Sequence, residues 1–371
     1  MLSTTTDSLE IQLEQGLLVK HPEFWFTDGS LILRAHSTLF RVHVSQLCRK
    51  SIFFRDLFSL PQPQSSTPDR EERRLEGCPV LDLHDPPDDV ANLVKVIYDG
   101  PNFGNNDRED FAAVSGVLRL STKYLIEESI RSKAMAHIRS AWPSTLKAWD
   151  LREDLARTHE VETGDLRGLR YPHPIAIINL AREIGADELL PSAFYELSRY
   201  SFTQIFEPSP GDPLDPHTPP SARVSLSYTL SPADMQRLAL GKEAAQQAVT
   251  TLIQNMEHAS ADHPSHRRSR SGQHIVPAHP PGIGGRVRAN CVTPAACRKD
   301  LAELVELATQ HYLFDRERGC ADPLYVAEEL GQLKSAEFAD CTACAHALEA
   351  WAARERERLW RAIPDWFRLR R

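Results

Sequence analysis

Three observations predict an α+β fold class, with a small sheet and helical cluster first and a mostly α-helical region after it. Residues 24–43 and 79–85 carry apolar runs at strand spacing. From residue 44 the apolar period lengthens to three and four, and it stays helical over most of the remaining chain. The 371 residues also exceed what one core usually fills, and two low-complexity stretches divide them.

The elements follow in order. Residues 1–22 read as a flexible polar tail. Residues 24–43, FWFTDGSLILRAHSTLFRVH, read as a hairpin turning near His36 and Ser37, with Leu31, Ile32 and Leu33 in a buried strand. Val44, Leu47, Cys48, Ser51, Ile52, Phe54, Leu57 and Phe58 then lie on one helical face, and Ser51 is placed to cap a second short helix. Residues 60–77 are Pro/Gln/Ser-rich and then charged, as in a surface loop. A strand over 79–85 leads into Asp85-Pro86-Pro87, an expected N-cap with prolines in the first turn. Val90, Leu93, Val94, Ile97 and Tyr98 give a core-facing helix that Gly100 ends.

Helices are predicted over 110–125 and 127–142, which closes a domain at residues 23–143. A helical extension follows over 144–206, with helices at 144–156, 174–184 and 191–206. Residues 207–230 read as a Pro-rich linker and 231–257 as a helix. Residues 258–290 hold five histidines, five arginines, four prolines and four glycines with one acidic residue, a composition that builds no core. Helical periodicity returns over 291–371.

The net charge of −8 argues against a generally nucleic-acid-binding surface. No apolar run reaches the ~20 residues of a membrane span, and the first residues lack the basic and apolar parts of a secretory signal. Seven scattered cysteines do not make a disulfide framework, so a cytoplasmic or nuclear setting is expected.

Five groups of residues could carry chemistry. A catalytic role for His43 would need a nucleophile with a local signature, and none accompanies it; the residue reads as an imidazole bonded to backbone where strand passes to helix. Cys341 and Cys344 form a C-x-x-C that with Cys291 and Cys297 could draw a zinc site. Their spacing also fits a core stripe with Phe338, Ala345, Leu348 and Trp351, and that reading leaves no metal and no cofactor expected; a redox pair is the other alternative. The pairs Asp88-Asp89, Glu153-Asp154 and Asp187-Glu188 sit at helix starts or on polar faces, where acidic residues favour the helix dipole. The basic run HRRSRS at 266–271 reads as solvated linker, and Trp351, Trp360 and Trp366 among Arg354, Arg356, Arg358 and Arg361 suggest a helix docked on its predecessors, with guanidinium groups over indoles.

The spacing of Phe40, His43, Leu47, Ser51, Phe54 and Phe58, without a gap, resembles the core signature of the BTB/POZ family. Upstream, TDGSLIL beginning at Asp28 resembles that family's first strand; downstream, VLDL at 80–83, Tyr98 with Gly100, and Tyr124-Leu125 match its later motifs. The likeness covers about a third of the chain, and the overall arrangement is similar to that of fungal BTB-domain proteins. It implies a non-enzymatic adaptor that forms homo- or hetero-dimers and recruits protein partners, itself or another BTB chain, with Val44, Leu47 and Phe58 as candidate interface residues. Transcriptional regulation and substrate recruitment to a cullin-type ubiquitin ligase are the alternatives the family offers. Two positions depart from its pattern. Val44 stands where homodimers often carry a basic residue, and Leu75-Glu76-Gly77 does not supply the tripeptide that contacts cullin.

Overall fold

The computed structural model describes residues 10–13, 16–60, 74–105, 107–108, 110–209, 214, 228–256, 291, 293–314, 322–332 and 341–370. A mixed sheet opens the chain, with strands β1 (Glu10–Leu13), β2 (Gly16–Trp25), β3 (Leu31–Ala35), β4 (Thr38–Val42), β5 (Arg74–Leu75) and β6 (Cys78–Leu83) in the order β1-β2-β4-β3-β6-β5. The predicted hairpin is β3 with β4, pairing Leu31 with Val42 and Ala35 with Thr38 around the His36-Ser37 turn. Leu31, Ile32 and Leu33 are all buried.

Two sequence expectations are corrected here. The tail expected over residues 1–22 instead contributes β1 and most of β2 among its described residues, and β2 runs parallel to β4. Its register shifts between Lys20 and Trp25, where Pro22 has no N–H to donate and the backbone N–H groups of Glu23 and Phe24 turn to His21 Nδ1 at 3.3 and 3.2 Å. Leu18 of this strand joins Ile32, Leu39 and Cys78 in one apolar cluster. The expected loop over 60–77 ends in structure, because β5 and β6 form a hairpin around Glu76-Gly77, with φ of 50° and 80°. Residues 61–73 lie outside the described residues.

Helices α1 (Val44–Lys50) and α2 (Ile52–Ser59) meet at Ser51. Its Oγ accepts from the Phe54 N–H at 3.0 Å, as the sequence predicted, and donates to the Tyr124 carbonyl at 2.6 Å. Then come α3 (Pro87–Asp99), α4 (Asp110–Lys123), α5 (Glu128–Ala141), α6 (Leu146–Thr163), α7 (Pro174–Ile184), α8 (Leu190–Ser198) and α9 (Phe202–Phe206). Asp85 is not the N-cap of α3; Pro86 holds that position, and Asp85 is a buried acceptor. Helix α6 outruns the expected end at residue 156 by continuing on exposed and half-buried residues after the last buried one, Ala156.

By internal contacts the chain divides into two units: Met1–Ala193 with Phe206–Thr229, and Phe194–Ile205 with Leu230–Arg371. No unit boundary falls at residue 143, the expected domain end. The second unit contains α10 (Pro232–Met256), α11 (Pro294–Thr309), α12 (Pro323–Gln332) and α13 (Thr342–Trp366). Gly241 of α10 lies against the fully buried Phe367, whose ring stacks on Phe194 at a centroid distance of 5.3 Å. In the first unit, residues expected to be Pro-rich linker are anchored instead. The Leu214 carbonyl lies 3.2 Å from His173 Nε2, Tyr228 packs edge-on against the same ring at 4.9 Å, and the Thr229 carbonyl accepts from Asn179 Nδ2. The low-complexity segment 258–290, with its HRRSRS run, lies outside the described residues. No helix among the described residues is long and apolar enough to cross a membrane.

Candidate functional site

His43 stands between β4 and α1, and both ring nitrogens meet side chains, not the backbone groups expected from the sequence. Nδ1 is 2.8 Å from the Tyr98 hydroxyl, and that oxygen also accepts from the His43 backbone N–H at 2.9 Å. Nε2 is 3.2 Å from Asp28 Oδ1. One neutral tautomer satisfies the whole set: Tyr98 donates to Nδ1 while Nε2–H donates to Asp28. The hydrogen bond from His43 holds the Asp28 carboxyl below its ordinary range, and burial pushes the Tyr98 phenol up. Phe26 stacks on Tyr98 at 4.8 Å. The arrangement pins the strand–helix junction and occupies both imidazole nitrogens.

The signature residues divide between core and surface. Phe40, Leu47, Ser51, Phe54 and Tyr124 are buried. Leu47, expected at an interface, is only 1% exposed and offers a partner no surface, because α1 turns it inward with the core. Val44 is half-buried and its N–H donates to Ser30 Oγ; Phe58 is half-buried and stacks on Phe54 at 6.4 Å.

The exposed apolar surface lies next to these positions. Phe53, Leu57 and Leu60 follow at i, i+4 and i+7 along α2 and its C-cap, and Ile52 precedes them. Ile52 is 50% exposed, Leu60 62% and Leu125 53%. The Ile52 N–H donates to the Leu125 carbonyl at 3.2 Å, and the Phe53 ring is 5.3 Å from that of Tyr124, so Ile52, Phe53 and Leu125 form one patch. Leu125 has φ of 48°, in the left-handed region that L residues avoid. That conformation ends α4, with the Ile126 N–H donating to the Ser121 carbonyl at 3.0 Å. Lys50 and Glu127, paired at 2.7 Å, add charge of both signs at the margin.

A cleft of about 500 Å³ in the first unit is lined in part by Asp85, Asp89, Arg119, Lys123, Asn179 and Glu183. Asp88 and Asp89 lie in the first turn of α3, as the sequence suggested, but Asp89 is buried there and Arg119 grips it with two nitrogens at 2.9–3.1 Å. Burial raises the Asp89 carboxyl against the opposing pull of Arg119. Asp85 takes Lys123 Nζ at 2.6 Å and the Tyr124 hydroxyl. These contacts tie α3 to α4. The pairs Glu153-Asp154 and Asp187-Glu188 likewise face arginines: Arg152, Arg157, Arg182 and Arg139.

Sequence reading missed the setting of Arg152. It is 3% exposed, lies within 4.3–5.0 Å of the rings of Trp142, Trp149 and Tyr171, and donates to the Ala141 carbonyl at 2.8 Å. On α13 the arginines have glutamate partners: Arg356 meets Glu328, Arg358 meets Glu355 and Arg361 meets Glu357.

In the second unit Cys344 keeps the predicted core stripe with Leu348 and Trp351, all buried on α13, while Phe338 lies outside the described residues. Cys341 is the N-cap of α13 and Cys344 lies in its first turn, while Cys291 and Cys297 flank the start of α11. Their four Sγ atoms all lie within 4.8 Å of one another. Burial, reinforced by the neighbouring thiols, pushes Cys344 well up. Compared with known proteins, the chain matches no family model, no curated protein and no solved structure.

Proposed function

We propose that the chain is a non-enzymatic adaptor of BTB/POZ type, whose first unit pairs with a second copy of itself or a related chain. The patch of Ile52, Phe53 and Leu125 is the docking surface. Leu125 carries this reading. Its large apolar side chain is 53% exposed at a positive-φ position that glycine adopts more easily, which leaves apolar surface beside Ile52 and Phe53 open to a partner. Exposed apolar clusters rimmed by charge are typical protein-docking surfaces, and the Lys50–Glu127 pair offers both signs to a symmetry-related copy.

Co-expression of two differently tagged full-length copies tests the proposal. Capture of one tag should recover the other, and the triple substitution I52D/F53D/L125D should reduce that recovery at least tenfold. Undiminished recovery would place the interface elsewhere, and no recovery would exclude self-pairing.

A further inference from the structure

One cluster lies outside the pairing surface. Cys291 and Cys297 Sγ are 3.7 Å apart, Cys341 and Cys291 Sγ are 3.9 Å apart, and all four sulfurs, Cys344 included, fall within 4.8 Å of one another. We propose that Cys291, Cys297, Cys341 and Cys344 form a structural tetrathiolate site for a single zinc ion.

The spacing fits a single tetrahedral ion. Four thiolates bound tetrahedrally at a Zn–S distance of about 2.3 Å place their sulfurs about 3.8 Å apart. A disulfide needs a separation of about 2.05 Å. Cysteines around a multi-iron cluster bind different irons and spread more widely than one ion's ligands. Hard oxygen-seeking cations do not select four thiolates.

The local fold supplies the electrostatics. Four thiolates around a divalent ion leave a net charge of −2, and both ligand pairs lie at helix starts. Cys341 caps α13 with Cys344 in the first turn, and Cys297 follows Thr293, the N-cap of α11, with Arg298 and Lys299 next along the chain. Helix N-termini favour negative charge. Cys297, Cys341 and Cys344 are buried and Cys291 is half-buried, so a bound ion is shielded from exchange. With four protein ligands no coordination position is left for water or substrate, which makes the site structural. It fastens the start of α11 to the start of α13, across 50 residues of sequence between Cys291 and Cys341.

The test uses the full chain purified under reducing conditions. Elemental analysis should find one zinc per chain that survives dialysis, and exchange for cobalt should give the intense visible bands of a tetrahedral cobalt thiolate. Cys291→Ser, at the least buried ligand, should weaken zinc retention at least a hundredfold and shift the cobalt bands while helical circular dichroism is kept. Cys48→Ser, outside the cluster, should change neither. Iron in place of zinc, cobalt bands of nitrogen ligation, or zinc retention unaffected by Cys291→Ser would overturn the proposal.

Discussion

His173 makes the stability of the first unit depend on pH. Its Nδ1 accepts the Ile175 N–H at the start of α7, and Nε2–H donates to the Leu214 carbonyl, so both nitrogens are used by the neutral ring. Burial is the main cause that lowers its pKa to about 4 from the ordinary 6.5. The unfolded chain therefore binds the proton first as pH falls. The contribution is fully present above about pH 6.5 and is lost as pH drops through about 4. Protonating Nδ1 breaks the cap and places positive charge at a helix N-terminus. Denaturant titrations should show a loss of about 3 kcal/mol over that window from this group, and His173→Asn, which caps without titrating, should flatten it. Leu125 gives the complementary residue-scale prediction. Leu125→Gly should hold or raise stability by up to about 1 kcal/mol, by releasing the positive-φ strain, while weakening pairing. The Ser51 cap was legible from a polar residue between two apolar runs. The His43 partners were not, because Asp28 and Tyr98 approach from other elements.

At the scale of elements, α3, α4, α5 and α7 stood close to their apolar stripes, since a core-facing helix writes its period into the sequence. Strand β2 escaped because Pro22 and the register shift it accompanies break the alternation that marks a strand. The four cysteines were legible as a possible zinc set, but their closeness was not. Cys341 and Cys344 fit a stripe on paper, but α13 begins between them and turns them toward Cys291 and Cys297. Gly241 shows how much packing depends on contacts the sequence hides. A Cβ there would lie 1.9 and 2.0 Å from Phe367 ring atoms, and Phe367 is fully buried. Gly241→Ala should therefore cost about 2 kcal/mol or more, despite alanine's better helix propensity, and lower the thermal midpoint. An unchanged or raised midpoint would show that Phe367 can move aside.

For the whole molecule, the two units hold different kinds of site. The first carries an apolar patch at the junction of α2 with the end of α4, and the second carries a closed set of four thiols. Strands β3, β4 and β6 and helices α1, α2 and α3 were readable from sequence, and the likeness to a pairing module came from that region. Which residues face outward was not readable, since spacing alone does not separate the buried Leu47 from the exposed Phe53. The central claim is that this patch pairs chains, and the solution mass of the intact protein by light scattering over a range of concentrations tests it most directly. The account predicts twice the mass of the 371-residue chain, falling to the single-chain value in I52D/F53D/L125D. A single-chain mass for the unsubstituted protein at every concentration would contradict it.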